Sequence, residues 1–414
     1  SDHRCAFGDA VVAATVGPAD FALRCVAPSS TAPGGSEFRI SLNAQQFSPS
    51  ATFVFYRDVV LPTGAHSPTS GPRDGGTLVI THGAPLAGGS DYTCSFGQAG
   101  MVPANYTEAT GEVRCTAPRA PDVYGRQQFA ISLNGQQFSP AAEGFVFHAT
   151  PQVALPAPQS GPEMGGTSVV FVGSGLGNGS DYRCRFEGGV VAATFTNDSY
   201  VGCRTVPSRR LCDAWGRCSA HIGPSECAIS LNGQQYSNAV VFSYHRPAHI
   251  SASSPACGPV RGSTLLRVHG SRLANGTDYR CKVGSVEVAA TLIPHAEEVP
   301  FVRCSLPPGM PAGHNAIAVT LNGQQYTDDP LEIYLHSESV IRQLVPTHAP
   351  MNGSTLMELV GEALDGGCDY ACAFDASWPG ALEGGSGEPN GTRDGDRYGA
   401  RVPARFDAAS GSVM

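Results

Sequence analysis

The chain predicts an all-β fold, a row of small sandwiches in tandem, and three observations carry that prediction. The phrase I-S-L-N-G-Q-Q-F-S recurs at Ile40 to Ser48, Ile131 to Ser139 and Ile229 to Ser237, with a variant at Val319 to Thr327, so a unit of about 90 residues has been copied. Between the phrases, apolar and polar residues alternate with period two. No helical periodicity with caps interrupts them. A second phrase, S-D-Y-x-C, marks each copy at Asp2, Asp91, Asp181, Asp278 and Asp369, with His3 replacing Tyr in the first. Five starts and four finishes place the first and last copies among partial repeats.

The elements follow from local chemistry. Thr77 to Thr81, Ser168 to Val172 and Thr264 to Val268 read as strands, separated by Gly and Pro clusters such as Ser70-Gly71-Pro72 and Gly75-Gly76. Asn134-Gly135, Asn232-Gly233 and Asn322-Gly323 read as type I′ hairpin turns. About seven short strands per copy, with turns every 8 to 12 residues, predict an immunoglobulin-like two-sheet sandwich. The eleven residues between His148 and Ser160 read as a first strand that leaves little slack between copies, so the array is expected to be semi-rigid.

Composition narrows the function classes. The 414 residues carry 50 Gly, 32 Pro and a net charge of −9, with Lys282 the single lysine. Nothing resembles a basic stripe for a phosphate backbone, which argues against nucleic acid as a partner. No apolar run approaches the ~20 residues of a membrane span, and the N-terminus has no leader pattern, so any signal or anchor is expected outside this sequence.

Cysteine phase says more than the total of 14. One Cys follows each D-Y and a second lies about 20 residues on: Cys5 with Cys25, Cys94 with Cys115, Cys184 with Cys203, Cys281 with Cys304. Recurrence at one phase predicts a disulfide in each copy, worth roughly 3 kcal/mol in the chain-entropy picture. The long spacings and lack of C-x-x-C argue against zinc. Cys212, Cys218 and Cys227 sit in an insertion and Cys257 opens the next copy; Cys212 with Cys218 and Cys227 with Cys257 is one of three pairings. Cys368 and Cys372 are left to pair with each other, with sequence after Met414 or with another chain, since Ala400 stands about where a second Cys is expected.

Six of the twelve Asn stand in N-x-S/T sequons: Asn105, Asn178, Asn197, Asn275, Asn352 and Asn390. They predict attached glycans and, with the disulfides, an extracellular or cell-surface glycoprotein. Asn178 and Asn275 share one phase just before D-Y-x-C.

The opening S-G-P-x-x-G-G-T-x-V of Ser70 to Val79 and Ser160 to Val169 is degenerate at Cys257 to Leu265 and Ala349 to Leu356, and V-x-G-x-x-L follows it. This pattern resembles the IPT/TIG domain over essentially the whole chain. The resemblance implies an early-set immunoglobulin fold of the kind found in plexin-like extracellular stalks and surface proteins, or as DNA-binding modules where basic loops are present. It divides the chain into 1–57 (partial, lacking its first strands), 58–148, 149–246 with the Cys-rich insertion, 247–336, and 337–414 (partial or degenerate).

No catalytic or metal constellation stands out, and neither an enzyme nor a cofactor is expected. His148, His245 and His336 each follow the last strand of a copy, with Tyr56 in the first, which predicts a structural role at the junction. The Asp of S-D-Y lacks the neighbouring carboxylates calcium would need and reads as capping its own turn. L-N-G-Q-Q offers amides that can pair across strands or touch the adjacent copy; it reads as a hairpin with packing duties. Gly173-Ser174-Gly175 has no following helix and is no nucleophile elbow.

Residues 1–57 lack opening strands, which leaves a sheet edge uncovered. Either the sequence is an excerpt of a longer array, or Val340 to Val360 of one molecule completes residues 1–57 of the next in a head-to-tail filament. The expected function is that of an extracellular structural glycoprotein, a stalk, coat or filament component that associates with copies of itself. The alternative is an adhesin or receptor ectodomain gripping a protein or glycan through end loops, with Arg209 to Glu226 and Trp215 as its best surface.

Overall fold

The computed structural model describes residues 2–17, 22–83, 85–213, 217–294, 300–350, 352–375 and 398–414. Asn390 and Trp215, both singled out by the sequence, lie outside these. Among the described residues the chain is all-β; the one helical turn is a short 3-10 segment, Gly97–Ala99. Two compact units divide the chain: 1–156, 170–204 and 226–240 form one, and 157–169, 205–225 and 241–414 the other.

In the first unit, residues 58–148 show the repeat complete. Strand Met101–Thr107 pairs through Met101 to Pro103 with Thr93–Phe96 and through Ala104 to Thr107 with Glu112–Thr116, so it crosses from one layer to the other. The Cys94–Cys115 disulfide ties those two partner strands together beneath it. Apolar residues at alternate positions meet between the layers: Phe96, Phe129 and Phe145 are fully buried and Phe147 nearly so. Phe96 packs edge-on against Phe129 and Phe145 at 5.1 Å, a geometry the ring quadrupoles favour. The opening segment Ser70–Pro72 runs parallel to Phe145–His148, and Leu78–Thr81 runs antiparallel to Glu112–Thr116.

Residues 4–55 of the same unit reproduce this plan without those two opening strands. Their five-stranded sheet ends at Leu23–Cys25 on one side and Ala51–Phe55 on the other. Parts of the third repeat belong here too: Arg183–Phe186 pairs with Gly189–Ala192 and with the 226–230 end of the next long strand, and Cys184 bonds Cys203.

In the second unit, residues 249–336 form one continuous eight-stranded sheet that begins at His249–Ser254 and closes with Cys257–Pro259 parallel to Leu331–His336. Cys281–Cys304 lies in its core, both sulfurs buried. Ser160–Pro162 runs parallel to Ser243 to His245, matching the register of the other opening segments. The last repeat pairs Val340–Val345 with Glu358–Glu362, and the latter with Ser412–Val413.

Several expectations are corrected. Residues 149–159 hold only the two-residue strand Gln152–Val153, because Pro151, Pro156 and Pro158 withhold ladder donors. The N-G turns are not type I′, since Gly135, Gly233 and Gly323 have positive φ and their Asn does not. Each Asn closes the loop with its side chain instead: Asn134 Oδ1 accepts from the backbone N–H of Gln136 and Gln137 at 3.1 Å.

Candidate functional site

The cysteines come first, because they fix the modules. Cys5–Cys25 and Cys212–Cys218 are bonded along with the three core pairs described above. Cys227 does not reach Cys257. It occupies the place of Phe129 in its repeat, is buried as a thiol donating weakly to Val240 O at 3.4 Å, and burial pushes its pKa up to about 12. Cys257 instead bonds Cys368, 111 residues on. Cys372 is a free thiol facing Val402 in register, and Ala400 is not in the second-Cys phase: the strand equivalent to Glu112–Thr116 is Ser412–Val413. The described sequon residues Asn105, Asn178, Asn197, Asn275 and Asn352 are all exposed, and Asn178 and Asn275 hold φ of 64° and 69°.

The chemistry of the molecule is concentrated where one module meets the next, and it is amide chemistry. In each complete repeat the S-D-Y and L-N-G-Q-Q phrases are neighbours: Ser180 and Asp181 both donate their N–H to Leu231 O, and Asp181 bridges to Asn232. Gly233 is required there. Its φ is +74°, and a Cβ would lie 2.6 Å from Asp181 Oδ2. Asp181 and Asp278 pair with Arg183 and Arg280 two residues on and do not cap their own turns. No group of three metal-binding side chains occurs among the described residues.

From this platform the amides of the third repeat grip the opening segment of the second. Asn232 Nδ2 donates to Ser70 O and Thr77 Oγ1, both at 3.2 Å. Thr77 Oγ1 donates to Gln235 Oε1 at 2.9 Å, and Gln235 Nε2 donates to Gly76 O at 3.1 Å. Gln234 takes the part of an edge strand: its Oε1 accepts from Leu78 N and its Nε2 donates to Leu78 O, each at 2.9 Å. Ser70 Oγ donates to Ser180 Oγ at 2.9 Å. The backbone groups that a sheet edge leaves open are thereby satisfied by side chains.

The second unit repeats the clasp with the register shifted by one repeat. Asn322 Nδ2 donates to Ser160 O and Thr167 Oγ1, Gln324 makes the same two-pronged contact with Ser168 N and O at 2.8 and 2.7 Å, and Thr167 Oγ1 donates to Gln325 Oε1. Ser160 Oγ meets Thr277 Oγ1 at 2.9 Å. The socket explains the invariants of the opening phrase. A Cβ on Gly71 or Gly161 would lie 2.2 Å from the hydroxyl of Thr77 or Thr167, so only glycine lets that threonine turn under the strand and face the clasp.

His148 and His245 are buried at the ends of their strands, each ring Nδ1 bonded to the next carbonyl, and burial lowers both pKa values below the usual histidine range. Sequence reasoning found the L-N-G-Q-Q phrase without its partner; the signal was there in S-G-P-x-x-G-G-T, the other phrase of equal persistence.

The IPT/TIG domain family profile matches residues 153–244 and 248–333. Plexin-A4 of Danio rerio is 23% identical over 219 residues, half of this chain and 11% of the relative, so the chain spans about a tenth of that protein's length. Among solved structures, the plexin A4 extracellular region (domains 1 to 10) aligns with all of this chain and 39% of its own, at 13% identity and a TM-score of 0.39. Invasin, described as a bacterial integrin-binding protein, aligns with 68% of this chain and 61% of its own, at 13% identity and a TM-score of 0.19. Residues 153–244 and 248–333, two consecutive repeats of this chain, thus match the IPT/TIG domain.

Proposed function

We propose that this chain is part of an extracellular structural glycoprotein whose IPT/TIG modules are clasped to one another to carry shape and load, as in a stalk, surface coat or head-to-tail filament. The observation that supports it is the repeated clasp: the residues most faithfully copied are spent on joining modules, where an enzyme would spend them on a pocket. Six disulfides and five exposed sequon residues among the described chain suit an oxidising, glycosylating compartment. No helix of the described residues is long and apolar enough to cross a membrane.

A second reading, an adhesin or receptor ectodomain, is favoured by the sequence likeness to Plexin-A4 and by the insertion hairpin, Arg210–Cys212 with Cys218–Ala220, which its own disulfide holds at the surface. Electron microscopy of the native material separates the two. Uniform polymers built from this chain support the structural role, whereas monodisperse single molecules at all concentrations refute self-association and leave the ectodomain reading.

A further inference from the structure

Two of the sequons are built into the module junctions. In Asn178-Gly179-Ser180 and Asn275-Gly276-Thr277 the Asn is exposed, yet the hydroxyl two residues on is already spent. Ser180 Oγ accepts from Ser70 Oγ and Thr277 Oγ1 meets Ser160 Oγ, both at 2.9 Å, and those two serines are 1% and 0% exposed. The rest of each triad is held as well. Gly179 and Gly276 donate their N–H to Tyr182 Oη and Tyr279 Oη at 2.9 Å, and Ser180 and Thr277 donate theirs to Leu231 O and Leu321 O at 2.8 Å. A Cβ on either glycine would lie 2.6 Å from the same leucine carbonyl, so closely is the triad pressed on the L-N-G-Q-Q loop.

Asn197-Asp198-Ser199 is built differently. It forms the tip of the hairpin between Thr194–Asn197 and Tyr200–Arg204, and every residue from Thr194 to Tyr200 is exposed. Its bonds stay within its own repeat: Asn197 Oδ1 accepts from Ser199 N at 2.9 Å, and the carbonyls of Asp198 and Ser199 accept from Leu176 N and Gly173 N. Among the described residues, the hydroxyls that meet across a junction belong to the other two triads, and Ser199 Oγ is not one of them.

Transfer of an N-glycan joins Asn Nδ2 to the anomeric carbon of a sugar carried on a lipid diphosphate. The C–N bond forms as the C–O bond to the diphosphate breaks; the lipid diphosphate leaves with the electron pair, and one amide proton passes to a base on the enzyme. The transferase selects its acceptor by the Ser or Thr hydroxyl two residues after the Asn, so that hydroxyl has to be free. We infer that Asn178 and Asn275 accept glycans only before the adjoining repeats are clasped, whereas Asn197 stays an acceptor in the folded chain. Glycan transfer at the first two sites therefore precedes module joining. During synthesis the window at Asn178 closes when Leu231 to Gln235 arrives to pair with Ser180 and grip Ser70 and Thr77, and the window at Asn275 closes when Leu321 to Gln325 does the same for Thr277, Ser160 and Thr167. An Asn passed over in that interval stays bare. This order presupposes the glycoprotein reading above, yet the two fail apart: native material without glycans at any sequon sinks that reading, while the order is decided by acceptor reactions in vitro.

The test uses the whole chain made without glycans, once folded and oxidised and once reduced, alkylated and unfolded. Each is incubated with an oligosaccharyltransferase and a lipid diphosphate-linked oligosaccharide, and peptide mass spectrometry reads the occupancy of each site. All three Asn should be modified in the unfolded chain. In the folded chain transfer at Asn197 should persist, while transfer at Asn178 and Asn275 should fall about tenfold or more, as the cost of freeing a bonded hydroxyl implies. The Ser70→Ala, Gln234→Ala variant opens one junction, so it should regain transfer at Asn178 and leave Asn275 low, the latter showing that the chain is still folded. Equal transfer to folded and unfolded chains at Asn178 and Asn275 overturns the inference, as does refusal of either site by the unfolded chain. Refusal of Asn197 by the folded chain overturns it too, because the fold as a whole would then be the barrier, and so does a variant as refractory at Asn178 as the parent.

Discussion

Cys257 is bonded to Cys368 at the place where, in the other two junctions, one hydroxyl meets another: Ser70 with Ser180 and Ser160 with Thr277. Cys257 stands in the serine position of the opening phrase, and Cys368 directly precedes the Asp of D-Y. The same contact is thus a hydrogen bond twice and a covalent bond once. Replacing Cys257 and Cys368 together by Ser should preserve the contact in its weaker form. We expect the double variant to keep its strand content, and to lose up to the roughly 4.7 kcal/mol that closing a loop of about 100 residues can contribute. Either single variant should be less stable than the double, since it strands one thiol. Denaturant unfolding of the three variants checks both statements.

The glycine of the opening phrase supports a sharper expectation. Gly71→Ala would put a methyl within 2.2 Å of Thr77 Oγ1 and 2.9 Å of the Phe145 ring. Thr77 is fully buried and cannot swing into solvent. Overpacking of this kind costs about 1 to 3 kcal/mol. Thermal unfolding should show the second repeat weakened by that amount, whereas Gly76→Ala, where the added methyl would meet open space and only the φ of +83° opposes it, should cost less.

Stability should fall on mild acidification. His66, His148 and His245 are all shifted downward, with burial the largest cause in each. For His66 the nearby Glu143 opposes the shift, and His148 and His245 each carry an Nε2 with no hydrogen-bond partner. A histidine whose folded pKa lies below its unfolded value of about 6.5 takes up its proton more readily in the unfolded chain. Its stabilising contribution is therefore whole above pH ~6.5 and declines as pH drops from there toward the folded pKa. The melting temperature should decline between pH 7.5 and 5, and the decline should shrink when His148 and His245 are changed to Gln.

Much of this was legible in the sequence. The period of the L-N-G-Q-Q and S-D-Y phrases and the alternation around Leu78 and Phe171 locate strands and modules, because both record contacts inside one repeat. The intramodule cysteines follow from phase for the same reason. What escaped were contacts between repeats. Asn232 meets Thr77 across 155 residues, and no local pattern couples the two. Cys257, which opens the next copy, was offered Cys227 as a nearby partner, yet its actual partner, Cys368, is set by the serine position it inherited. Cys227 looked available for pairing, but it fills a core site that Phe129 holds one repeat earlier. The N-G turns were misread because Asn there closes the loop with its side chain and leaves positive φ to Gly alone.

The clasp itself is tested most directly by amide hydrogen exchange at two backbone positions. Leu78 N–H and Ser168 N–H are each held by a glutamine of the following repeat, Gln234 and Gln324. Each glutamine makes two hydrogen bonds, worth together about 1 to 3 kcal/mol net. Gln234→Ala should raise exchange at Leu78 about tenfold or more while Ser168 is unchanged, and Gln324→Ala should do the reverse. Exchange at both amides that is indifferent to both substitutions would contradict the account, because the modules would then be joined by something other than these amides.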